Sequence, residues 1–141
     1  MRIHERGFFS IDALFAVTLL LMISASFLNI YEGRNQAAEL MGARLEAKIV
    51  GEKLAAAINT AYANGKNFEL RVALPSKIGN YYYQIKFDNN ARRVWVENSA
   101  WGTISVGVIC KNVENFVLGP KNLENTIRVY WVDNQIKVVN V

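Results

Sequence analysis

The chain has 141 residues, of which 52% are apolar and 20% charged, and its formal net charge is +4. That is long enough for one globular domain with an extension, and too apolar for a disordered chain. Its 16 basic residues interleave with 12 acidic ones and form no block of five like charges, so the footprint expected of a nucleic-acid binder is missing and no nucleic-acid partner is expected.

Residues 1–7 are short and polar and carry Arg2 and Arg6. Residues 8–30 are almost entirely apolar, and residues 13–28 carry no charge. A spanning helix needs about 20 mostly apolar residues, so this stretch qualifies as a single span. Asp12, Ser10, Thr18, Ser24 and Ser26 lie inside it and make it an imperfect one for permanent residence in lipid. The arginines before it favour a cytoplasmic N-terminus. An ordinary secretory signal would have a shorter apolar region followed by a small-residue cleavage site; here the apolar run leads straight into more helix.

Residues 37–62 are rich in Ala, Leu, Glu, Lys and Met, all strong helix formers. Met41, Leu45, Val50, Leu54, Ile58, Ala61 and Tyr62 recur at helical spacing, which predicts an apolar stripe that seats a sheet. Asn64 and Gly65 stop the helix, with the glycine as its C-terminal cap. No proline precedes Pro75, so one long helix from about residue 8 to 63 is allowed, apolar all round in its first half and amphipathic in its second, with Gly33 as the expected kink.

The remainder reads as strands. Residues 68–74, 81–87 and 93–97 alternate apolar and polar, with turn chemistry at Asp88, Asn89 and Asn90. Residues 104–110 and 115–118 are further candidates, and 126–132 with 135–139 form a hairpin across Asp133 and Asn134. A helix followed by a run of strands predicts an α+β fold: a long N-terminal α-helix packed against a C-terminal antiparallel β-sheet. The expected layout is 1–7 leader, 8–32 apolar helix, 33–65 amphipathic half-helix and 66–141 β-rich head.

Catalytic chemistry has little to stand on. His4 is the single histidine and Cys110 the single cysteine, so a disulfide within the chain is excluded, and no metal, no cofactor and no enzymatic activity are expected. Cys110 reads as a buried structural thiol. Tyr81, Tyr82, Tyr83, Trp95, Trp101 and Trp131 read most simply as core and sheet-face packing, with a carbohydrate-binding face as the alternative. There is no glycosylation sequon.

The stretch Arg6, Gly7, Phe8, Phe9, Ser10, Ile11, Asp12, followed at once by the apolar helix, resembles the processing site of type IV prepilins. The resemblance covers residues 6–62, with looser similarity at 74–83 and in the closing hairpin. It implies that a prepilin peptidase cuts between Gly7 and Phe8, that the helix is retained, and that Asp12 is the acidic residue at the fifth mature position. The Ser10 and Asp12 spacing is similar to the archaeal version. Phe8 stands where that version has Gln, and Asp12 where it has Glu; a first-position Phe is typical of bacterial pilins.

The resemblance implies a major or minor subunit of a surface filament that partners with other pilin subunits after a stage in membrane lipid. Leu14, Phe15, Val17, Leu20, Leu21 and Phe27 would then lie in the filament core. A carboxylate among apolar residues needs a partner, and the α-amino group freed at Phe8 of a neighbouring subunit is mostly protonated near neutral pH. Pairing with it would offset two buried charges and fix register. Two plainer readings stand beside this one. Asp12 is then a helix-terminus residue of a single-pass signal anchor carrying a ligand- or partner-binding β-domain, and Ser10 an N-cap.

Overall fold

The computed structural model describes residues 11–120, 123 and 126–141. Helix α1 spans Ile11–Asn64 and is helical through Gly33. It ends where the sequence places its stop: Gly65 takes a φ of 76° and donates its N–H to the Ala61 carbonyl at 3.2 Å. Only glycine adopts that conformation without a Cβ penalty. The chain divides into two compact units, Met1–Ala38 and Glu39–Val141, and α1 contributes to both.

The second unit holds the rest of α1 and seven strands, β1 (Glu69–Ala73), β2 (Gln84–Asp88), β3 (Arg93–Asn98), β4 (Gly102–Gly107), β5 (Phe116–Leu118), β6 (Thr126–Val132) and β7 (Gln135–Asn140). They form two antiparallel sheets rather than the single one expected, in the orders β1-β6-β7 and β4-β3-β2-β5. Period-two alternation sends Ile85, Phe87, Val94, Val96, Ile127, Val129, Ile136 and Val138 inward, where all are buried. Asp133 and Asn134, both at positive φ, form the two-residue turn joining β6 to β7. Cys110 is buried but lies beyond the end of β4, not within a strand.

The helix face that meets the sheets bears out Val50, Leu54, Ile58 and Ala61 of the expected stripe and corrects Met41, Leu45 and Tyr62. The buried residues of α1 are Ala43, Ala47, Val50, Gly51, Leu54, Ala55, Ala57, Ile58 and Ala61. Met41 is 67% exposed, Leu45 58% and Tyr62 47%. Met41 and Leu45 each sit two residues from a buried alanine, about 200° round the helix, and so point away from the sheets. Six of the nine buried residues are alanine or glycine, and Val50, Leu54 and Ile58 supply the larger side chains. Polar tethers fasten this part of the helix: Trp131 Nε1 donates to the Ala61 carbonyl at 2.7 Å, Arg44 Nε to the Trp101 carbonyl at 2.9 Å, and the Ile109 N–H to Asn59 Oδ1 at 3.0 Å.

Candidate membrane and assembly helix

Within the first unit the helix presents apolar side chains on every side. Leu14, Phe15, Val17, Leu20, Leu21 and Phe27 are between 54% and 67% exposed. Five consecutive residues, Leu19, Leu20, Leu21, Met22 and Ile23, are all exposed. At about 100° per residue they sweep the whole circumference, so no single partner groove accounts for them. An apolar surface of this extent is not stable facing water. Such a surface suits a membrane anchor or a signal sequence.

The hydroxyl residues fit apolar surroundings better than their identity suggests. Thr18 Oγ1 donates to the Leu14 carbonyl, Ser24 Oγ to that of Leu20 and Ser26 Oγ to that of Met22, each at 2.8 Å. Each polar side chain is satisfied one turn back within the helix, which removes most of the cost of placing it in an apolar medium. Asp12 stands exposed in the first turn, the position at which the helix dipole favours an acid. Arg6, Gly7, Phe8 and Ser10 lie outside the described residues.

Helix α1 is therefore long and apolar enough to cross a membrane, with none of its most apolar stretch buried. No protein-family model, curated protein or solved structure matches the chain. What stands on its own residues is an N-terminal helix suited to a membrane or to helix–helix packing, followed by antiparallel β-sheets.

The sequence pattern places Met41 and Leu45 in the sheet-facing stripe and leaves out Ile49; the structure groups the three on another face of the helix. Met41, Leu45 and Ile49 follow one another at intervals of four residues on the side of α1 away from the sheets, and Ile49 is 62% exposed. The signal that would have found them was the alternative set of small residues, Ala43, Ala47, Gly51 and Ala55, at intervals of four along the same helix. The rim is polar, with Lys48 and Glu52 paired at 3.7 Å.

The structure sorts the aromatic residues into separate roles. Trp101 and Tyr83 are core residues. Trp131 stacks on Tyr62 with ring centroids 6.1 Å apart. Tyr82 is exposed beside Lys77, whose Nζ lies 4.5 Å from its ring centroid. Trp95 lies half-buried on the outward face of β3. The Cys110 thiol has its pKa raised by burial, which suits a packing residue rather than a nucleophile.

Proposed function

We propose that the protein is a structural subunit, major or minor, of a type IV pilus-like surface filament. In this reading it enters the membrane as a precursor with a cytoplasmic N-terminus, is cut after Gly7, and leaves lipid for a bundle of like helices. The observation that carries the reading is the circumferentially apolar stretch of α1 with a lone carboxylate, Asp12, at its start. In a single anchor Asp12 gains only the modest help of the helix dipole, whereas a bundle of parallel helices would supply a cation, the Phe8 amino group of a neighbour. The exposed Met41, Leu45 and Ile49 add a second apolar strip that helix packing between subunits would cover.

The competing reading, a signal-anchored surface protein, differs in what happens at Gly7. Removing residues 1–7 deletes two arginines and one glutamate and lowers the formal charge from +4 to +3. Intact-mass measurement of protein isolated from the native membrane or from sheared filaments is expected to give a chain beginning at Phe8, and Gly7→Leu should block the cut. A native mass that retains residues 1–7 would establish the anchor instead.

A further inference from the structure

The outward face of the four-stranded sheet has a composition that neither the core nor the assembly helix explains. On β2, β3 and β4 the strand register places three rows side by side: Gln84, Glu97 and Thr103; Lys86, Trp95 and Ser105; Asp88, Arg93 and Gly107. Trp95 occupies the centre of this array, and every neighbour in it except Gly107 is polar. The nearest apolar side chain in the same row is Val117 of β5, on the far side of Lys86.

The charges on this face are arranged to cancel. Lys86 Nζ reaches diagonally past Trp95 to Glu97 at 2.5 Å. On the other diagonal Arg93 Nη1 donates to Ser105 Oγ at 2.8 Å, and Arg93 stands directly across from Asp88. Beside the Trp95 row lies a recess of about 270 Å³ lined by Gln84, Glu97, Asn98, Ser99 and Thr103. Asn98 is committed to holding the recess wall, since its amide donates to the Tyr82 carbonyl and accepts from the Ala100 N–H. The Gln84 amide and the Ser99 and Thr103 hydroxyls line the recess as donors and acceptors.

We infer that this face is a binding site for a neutral polysaccharide, with Trp95 as the platform for a sugar ring and the Gln84–Glu97–Thr103 row as its hydrogen-bonding rim. The inference does not depend on the filament reading, because all of the residues belong to the β-rich unit. The chemistry selects the ligand class by elimination. A protein partner would be met by a cluster of apolar anchors, and this face has one aromatic ring among polar groups. An anionic polymer would be met by excess positive charge, and here two cations face two carboxylates. A sugar ring presents one C–H-rich face and a rim of hydroxyls, which matches an amphipathic indole beside amide, carboxylate and hydroxyl groups. The recess is smaller than the pockets that enclose drug-sized ligands, so it takes one or two rings of a longer chain rather than swallowing a free oligosaccharide.

The test uses the full-length chain in a zwitterionic detergent without a sugar headgroup. The probes are the β-1,3-glucan laminarin, an α-mannan and hydroxyethylcellulose, with polygalacturonate as the acidic comparison. Binding is read by retardation in native gels containing each polymer and by titration of tryptophan emission. Saturable binding of at least one neutral polymer is expected. Trp95→Ala should weaken it about tenfold or more in a protein that still unfolds cooperatively above the assay temperature. Trp95→Phe should retain part of the affinity, and Glu97→Gln should weaken binding severalfold. The inference is overturned if no neutral polymer binds saturably, if polygalacturonate is preferred, or if Trp95→Ala and Trp95→Phe both bind as wild type does.

Discussion

Gly51 of α1 lies so close to Val106 of β4 that a β-carbon placed on it would come within 2.9 Å of Val106 Cγ2, and within 3.4 Å of Val96 Cγ2. The contact is between a helix backbone and the stiff branched side chains of two strands, and it sets how near the four-stranded sheet approaches the helix. Gly51→Ala would raise helix propensity by about 1 kcal/mol, yet overpacking of this kind costs about 1–3 kcal/mol. A net loss of stability is expected, read as a lower melting temperature. Val106→Ala should recover most of it in the double variant, because the crowding atom is removed; additive losses would mean that the two positions do not meet.

Leu54 and Leu45 lie on the same helix with opposite surroundings, one fully buried and the other 58% exposed. Leu54→Ala should destabilise the β-rich unit by about 2–5 kcal/mol. Leu45→Ser should change its stability by no more than about 0.5 kcal/mol and should lower recovery of the protein in the sheared-filament fraction. Melting curves and fractionation of both variants separate the two effects. Loss of stability in Leu45→Ser would place that residue in the core, and full filament recovery would remove it from the assembly surface.

Tyr83 supplies a pH dependence. It is buried and donates its hydroxyl to the Pro75 carbonyl. Burial first, and the negative charge of Glu46 second, push its pKa well above the ordinary tyrosine value. The unfolded chain therefore loses this proton first, from about pH 10. Above that pH the native state holds more protons than the unfolded one, and stability falls as pH rises; below it the contribution is fully present. Tyr83→Phe should lose about 1 kcal/mol at neutral pH with its hydrogen bond and should decline less steeply between about pH 10 and 11.5. Urea titrations across that range check the slope, and a variant that declines as steeply as wild type would assign the alkaline loss to other groups.

Asp12 carries the assembly proposal. Asp12→Ala should leave membrane insertion intact, because the helix becomes more apolar, and cleavage intact, because the cut depends chiefly on Gly7. Incorporation into filaments should fall steeply, since removing one partner of a buried pair typically costs about 3–5 kcal/mol. Asp12→Glu should assemble at least as well as wild type, its longer side chain reaching the same amino group. Comparison of membrane-bound and sheared-filament fractions for the three proteins decides it. Equal incorporation of Asp12→Ala and wild type would reduce Asp12 to a residue that merely suits a helix terminus.

Much of this molecule is written locally. The apolar run before Tyr31, the absence of proline before Pro75, the stop at Gly65 and the turn at Asp133 and Asn134 act within a few residues of themselves, through helix propensity, backbone sterics and strand alternation. They determined an α+β chain with a long N-terminal helix, one long enough to span a bilayer, and all seven strands to within about three residues; the largest offsets are at β2, which begins at Gln84 against an expected 81, and at β4, which runs Gly102–Gly107 against an expected 104–110. Where the helix packs was not written that way. Large apolar residues and small ones both recur at helical spacing between positions 41 and 62, and periodicity alone cannot say which set faces a sheet. The tertiary structure buried Val50, Leu54, Ile58 and Ala61 as the periodicity predicts, together with Ala43, Ala47, Gly51, Ala55 and Ala57, and left Met41, Leu45 and Ile49 outside. The split into two sheets and the polar array around Trp95 likewise arise from pairings between distant strands, whose register depends on which hairpins fit around the helix together.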